Sequence, residues 1–235
     1  MDINLERLKN AMLLQTQKND VTANNLANIN TIGFKREHTF LQSLEDETRN
    51  TLASQTVHDQ GQLKQTDNPL DLAISGRGFF TVQTQSGQAY TRDGHLAVDE
   101  YGALRTTAGH LLMGAGGPLV VSQDGLKTGS VRISQHGEIF VDDDYVDRLQ
   151  VVDFDNLENL QRIGTNLYVN NADPQPDVLE EPVILQGNLE TSNVDPVQEM
   201  IHMIELQRHF ESSQRVLTNY DRMLGKAAND ISRYQ

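Results

Sequence analysis

The residues that could do chemistry are few in type. The chain carries 7 His and 33 Asp plus Glu but no Cys, which removes thiol nucleophiles, disulfides, Cys-based zinc sites and iron–sulfur clusters together. His202 and His209 share a helix face at seven-residue spacing, but two turns separate them and no His-Glu-x-x-His arrangement accompanies them. Solvated helix-face histidines are the stronger reading. Asp142, Asp143 and Asp144, with Asp147, could face a calcium ion. That stretch lacks the sharp-turn Gly and the closing Glu of a calcium loop, so it reads as an exposed acidic turn. Gly76-Arg77-Gly78 is a fragment of a dinucleotide fingerprint, yet it leads into Phe79-Phe80-Thr81-Val82, a strand with no helix N-terminus to hold a pyrophosphate. No Gly-x-Ser-x-Gly elbow or phosphate-binding P-loop occurs. Carboxylates are too plentiful for the sequence to single out an acid–base pair. No catalytic, cofactor-binding or metal-binding residue is assigned, and the chain reads as something other than an enzyme.

Composition narrows the classes further. Lys plus Arg is 19 against 33 Asp plus Glu in 235 residues, a formal net charge of -14. Nucleic-acid binding is not expected, because it relies on clustered Lys and Arg displacing counterions from phosphates. Hydrophobic residues are 37% and aromatics 6%, with no Trp, so a lean core is expected. No run approaches the roughly 18 apolar residues of a membrane span. The opening residues Met1 to Asn10 lack the cationic and apolar regions of a secretory signal. Work outside the cytoplasm would need another export route.

Helical periodicity occupies both ends of the chain. Near the N-terminus Leu5, Leu8, Ala11, Met12, Ala23, Leu26 and Ile29 fall on one face, interrupted by Gln15, Asn19 and Thr22. Gly33 is the expected helix stop. At the other end Met203, Phe210, Leu217, Leu224 and Ile231 recur every seven residues. Leu206, Ser213, Tyr220 and Ala227 follow the first four by three residues, so an a/d heptad seam is expected. An amphipathic helix lying on its own domain is the alternative. Asp195 can cap this helix and Pro196 suits its first position. The run Thr22-Ala-Asn-Asn-Leu-Ala-Asn28 places Asn24, Asn25 and Asn28 near the first helix's end. There they serve either as caps or as polar contacts to a neighbouring helix.

Between the helices the pattern changes to short apolar or alternating runs: 70–75, 78–83, 88–92, 96–99, 103–106, 119–122, 131–134, 139–142, 149–154, 167–169 and 183–185. Asp93-Gly94, Tyr101-Gly102, Asp124-Gly125 and His136-Gly137 mark turns between them, with loops at 114–118 and 173–177. Residues 36–66 are polar with sparse apolar positions and read as an extended connector. The expected division is an N-terminal helix at 1–35, the connector at 36–66, a β-rich domain at 67–190 and a C-terminal helix at 191–235. The fold class is α+β. The two terminal helices pair as a coiled-coil-like domain, and an antiparallel, strongly bent all-β domain is inserted between them.

Four blocks of sequence resemble one family, the bacterial flagellar basal-body rod, hook and hook-associated axial proteins. Residues Thr22 to Lys35 are similar to its N-terminal signature. Residues Asn68 to Phe80 resemble the segment that opens its β domain. Tyr90-Thr-Arg-Asp-Gly94, with Leu96, Asp99, Gly102 and Leu104, matches the next block. Residues Gly187 to Asp195, running into Glu199 to Glu205 and Arg208, resemble its C-terminal signature. The blocks occur in family order and span most of the chain.

The resemblance implies a structural rod subunit that self-assembles through its terminal helices into a hollow axial shaft crossing the periplasm. Its implied partners are copies of itself and other rod and hook proteins. The residues expected on the assembly helices are Leu5, Leu8, Met12, Asn24, Asn25, Leu26, Asn28, Met203, Leu206, Phe210, Leu217, Tyr220, Leu224 and Ile231. The short length favours the proximal rod segment, with the distal segment or a rod-like paralogue as alternatives. A secreted β-domain binding module or a cell-wall hydrolase are more distant ones. The resemblance also implies export by the flagellar type III apparatus without a cleavable signal. Phe40 and Leu44 look like the short aromatic–aliphatic motif read by its export gate, although simple packing on the β domain explains that pair equally well.

Overall fold

The computed structural model describes residues 2–43, 50–121, 130–170 and 176–232. Helix α1 spans Asp2–Ala27 and helix α2 spans Pro196–Ser232, with antiparallel β-structure between them. The chain divides into two compact units. One holds residues 1–27, 37–55 and 195–235, and the other holds 28–36 and 56–194.

In the helical unit, α2 begins where a cap is available. The Asp195 carboxylate accepts from the backbone N–H of Val197 at 2.9 Å and of Gln198 at 3.2 Å, satisfying donors that a helix start leaves open. Helix α1 ends at Ala27, six residues before the expected stop at Gly33. Residues 28–33 instead form turns, among them an Asn28 carbonyl that accepts from the Thr31 N–H at 3.2 Å. The strands Glu37–Ser43 and Asn50–Thr56 pair as a two-stranded sheet. Most of the segment expected as a connector is therefore folded, and its first part groups with the helices. Its low apolar content concealed strands whose order rests on backbone pairing.

The other unit is a β-structure built around one broad sheet. Its main path runs Leu160–Ile163, Leu167–Asn170, Gly87–Thr91, Phe79–Thr84, Leu111–Gly114, Leu104–Thr106 and Leu96–Val98. Strand Val151–Asp153 also pairs with Phe79–Thr84. Side chains alternate across a strand, so Phe80 and Val151 join Leu72, Val82, Leu104 and Ile139 on one side. Their neighbours Phe79 and Val152 join Tyr90, Phe154, Leu160 and Tyr168 on the other. Both faces are buried, which is why Phe79 to Val82 is a continuous buried run rather than an alternating one.

A three-stranded sheet of Val131–Ile133, Glu138–Val141 and Asp144–Arg148 packs its Ile139 into the first core. Asp142 and Asp143 form its tight hairpin turn with φ of 49° and 71°, the positive values that Asp tolerates in such a loop. The acidic triplet is thus spent on a turn. Two strand pairs complete the unit: Ile184–Gln186 with Leu72–Ile74, and Asn188–Glu190 with Leu63–Gln65.

Candidate functional site

Helices α1 and α2 touch within their unit. Along α2, Met203, Leu206, Phe210, Ser213, Leu217 and Tyr220 are half-buried, while every other residue from Met200 to Met223 is exposed. The spacing is three and four residues in alternation, the period that keeps one stripe facing a partner helix. Leu224 and Ile231 continue the series along α2, and their side chains lie outside the described ones. On α1, Leu8, Met12 and Leu26 are half-buried, Leu13 is 58% exposed, and the Leu5 side chain is outside the described ones. Gln15, Thr16 and Asn19 meet Leu206, Gln207, Phe210 and Glu211 around a groove of about 290 Å³. The polar interruption in the α1 stripe therefore faces the α2 seam.

The Asn-rich run divides by role. Asn25 is 1% exposed. Its side-chain amide donates to the Glu37 carbonyl at 2.9 Å, and its oxygen accepts from the Glu37 N–H at 2.9 Å. A single amide thus pairs with both polar groups of one backbone unit, as a neighbouring strand would, and holds the strand Glu37–Ser43 to α1. Asn24 is exposed, and Asn28 accepts from the Thr31 hydroxyl at 3.0 Å. These bonds of Asn25 and Asn28 join α1 and its end to Glu37 and Thr31 rather than to α2. Phe40 lies exposed in the strand Glu37–Ser43, and Leu44 lies outside the described residues.

In the β-rich unit the remaining signature residues converge on one buried carboxylate. Glu190 accepts from Lys35 Nζ at 2.5 Å through Oε1 and from Arg92 Nη1 at 3.1 Å through Oε2. Lys35 and Glu190 side chains are each 1% exposed. Oε1 also accepts from the Gly61 N–H at 2.9 Å, and the Glu190 carbonyl accepts from the Gly33 N–H at 2.8 Å. Arg92 and Lys35 each spend a further donor on a backbone carbonyl, of Gly76 at 2.7 Å and of Asp59 at 2.7 Å respectively. Two glycines allow this approach. A Cβ on Gly33, which sits at φ +67°, would stand 2.5 Å from the Arg92 carbonyl carbon, and one on Gly61 would stand 2.0 Å from the Thr191 oxygen.

Asn193 ties the same segments together. Its oxygen accepts from the Arg36 N–H at 2.7 Å, and its amide donates to the carbonyls of Val57 at 2.9 Å and Asp59 at 3.0 Å. Burial pulls the Lys35 and Arg92 pKa values down, against the opposing attraction of Glu190. Burial likewise raises the Asp93 carboxyl, which still accepts from Asn166 Nδ2 at 3.0 Å and from the His95 N–H at 3.0 Å.

This ionic knot is architecture rather than an acid–base site, because Lys35, Arg92 and Glu190 each bond one another or the backbone within the protein. Among the described residues no cluster of three His, Asp or Glu is placed to hold a metal, and no helix is long and apolar enough to cross a membrane. His202 and His209 are exposed on α2. Gly76 and Gly78 have φ of +98° and +117° and frame Arg77, which pairs with Asp153 at 3.0 Å. Lys35, Arg92 and Glu190 lie within the family-like blocks of sequence, where nothing local gives them a role. The signal available was charge in otherwise apolar or Gly-rich surroundings.

Comparisons with known proteins agree along the chain. Residues 5–35 match the family described as flagella basal body rod protein. Residues 73–141 match the flagellar hook protein FlgE/F/G D1 domain, and 185–230 match the flagellar basal body rod FlgEFG protein C-terminal region. The chain is 35% identical over 212 residues to the flagellar basal-body rod protein FlgF of Caulobacter vibrioides, covering 85% of this chain and 86% of that one. It is 33% identical over 243 residues to the flagellar basal-body rod protein FlgG of Buchnera aphidicola subsp. Baizongia pistaciae, covering 88% and 91%. It is 31% identical over 247 residues to FlgG of Bacillus subtilis, covering 90% and 92%. With likeness of this depth over most of its length, the chain belongs to the flagellar basal-body rod protein family.

Proposed function

We propose that this protein is a structural subunit of the flagellar basal-body rod that polymerises through α1 and α2. The family is one of structural rod proteins rather than enzymes. The half-buried stripe from Met203 to Tyr220 carries the assembly reading. It continues in sequence to Leu224 and Ile231, and α2 at 37 residues exceeds the 26-residue α1, so one seam is longer than one partner helix can cover. In this reading the two helices pair in coiled-coil fashion, copies of the chain and other rod and hook subunits complete the seam, and the β-rich unit lies outside the resulting tube. The short length favours the proximal rod segment over the distal one.

Removing the gene should abolish swimming, and restoring the full chain should return both motility and the protein in purified hook–basal bodies. Mass spectrometry of those particles checks it; particles of normal length and composition without this chain would refute the reading.

Export through the flagellar type III apparatus follows from the same reading. Phe40 is exposed despite its size, which fits a residue recognised before folding. Phe40→Ala with Leu44→Ala should leave the protein in the cytoplasm with an unaltered melting temperature. Secretion at the parental rate would remove the export role from this pair and leave the rod assignment standing.

A further inference from the structure

His58 occupies an unusual place beside the ionic knot. Its ring lies 5.7 Å from the Phe79 ring, edge-on, and 5.2 Å from the Tyr168 ring. Those same two rings carry cations: the Arg92 guanidinium stands 5.2 Å from the Phe79 centroid, and that of Arg162 stands 5.8 Å from the Tyr168 centroid. Lys35 is close enough to act on His58 electrostatically as well. The His58 Nδ1 atom is buried without a hydrogen-bond partner. One residue away, the Asp59 carbonyl accepts from Lys35 Nζ, and the Asn193 amide donates to the carbonyls on both sides of His58, those of Val57 and Asp59.

We propose that His58 is an acid-operated latch, whose protonation frees the segments around Glu190 while the sheet stays folded. The charged and titratable groups around it, among the described residues, are Lys35 from 28–36, Asp59 beside it, Arg92 after the strand Gly87–Thr91, Arg162 and the neutral Tyr168 from adjacent strands, and Glu190 and Asp153 beyond them. Lys35 and Arg92 share the one carboxylate of Glu190 among the described residues. A proton on this half-buried ring adds a further positive charge while the buried Nδ1 has no acceptor from the protein among the described residues. The pKa is accordingly lowered to about 4, by burial first and then by Lys35, Arg162 and Arg92. The cheaper way to accommodate the proton is to expose residues 57–61, which breaks the bonds to Lys35, Asn193 and Glu190. Residues 28–36 lead out of α1, and 188–194 lead into α2. Acid therefore loosens both roots of the helices before the sheet.

Amide exchange on the full chain tests this at about pH 7 and about pH 5, a window above the ordinary carboxylate range. After correction for intrinsic rates, Gly33 and Gly61, which bond to Glu190, should exchange about 25-fold faster at the lower pH, the ratio set by a histidine that charges freely only when exposed. Thr81, whose N–H bonds to Gln150 in the sheet, should change far less. In His58→Phe, or His58→Gln if the first variant does not fold, the difference between the sites should vanish. Equal acceleration at Gly33, Gly61 and Thr81, or an acceleration that persists in the folded variant, would overturn the latch. The His58 ring resonances of the unmodified protein give an independent reading: a midpoint near about 4 supports it, and one near the ordinary histidine value of about 6.5 overturns it.

Discussion

Glu190→Ala is expected to destabilise the β-rich unit by about 3–5 kcal/mol, the range for removing one partner of a buried ion pair. The loss of the pair's attraction is the smaller part. Lys35 is almost wholly buried and Arg92 is 5% exposed, so both cations would remain in place with no carboxylate bonded to them. The Gly61 N–H would lose its acceptor too. Glu190→Gln keeps the shape and some hydrogen bonding but not the charge, and it should fall in the same direction by a smaller amount. Urea melts of the purified variants measure both. A loss below about 1 kcal/mol in Glu190→Ala would mean that the knot is solvated in solution.

The second large effect concerns assembly. Phe210→Asp combined with Leu217→Asp places two carboxylates on the half-buried stripe of α2, where burial without a partner costs on the order of several kcal/mol. Cells carrying only this variant should make and export the chain yet build no rods and not swim. The melt of the β-rich unit should be unchanged, because neither residue belongs to its two apolar clusters. Normal motility in the double variant would remove α2 from the assembly role.

What the sequence disclosed follows the range of the interactions. The start of α2 was legible because Asp195 and Pro196 act on the next few residues. The heptad stripe was legible because it repeats on one helix. Strands with alternating or continuous apolar residues, such as Phe79–Thr84 and Leu96–Val98, stood out for the same reason. The strands Glu37–Ser43 and Asn50–Thr56 did not, since polar side chains hide an order supplied by the backbone. Leu160–Ile163 and Asp144–Arg148 were hidden likewise, among Gln, Arg and Asp.

The site divides along the same line. Asn25 could be weighed for a polar contact, but its partner is a backbone unit twelve residues on rather than a helix. Glu190 bonds Lys35 from 155 residues away, and nothing local to either residue names the other. Glycine often ends helices, so Gly33 alone suggests a helix stop, yet α1 ends at Ala27. The actual constraint on Gly33 is the Arg92 backbone pressed against it.

The central claim is that α1 and α2 build the rod. A cryo-EM reconstruction of purified hook–basal bodies from the native bacterium tests it most directly. The account predicts density for this chain in the rod, with Met203, Leu206, Phe210, Leu217 and Tyr220 packed among helices around the axial channel and the β-rich unit on the outside. A rod whose inner helices are all assigned to other chains, or one that holds this chain through its β-rich unit with α2 unpacked, would contradict it.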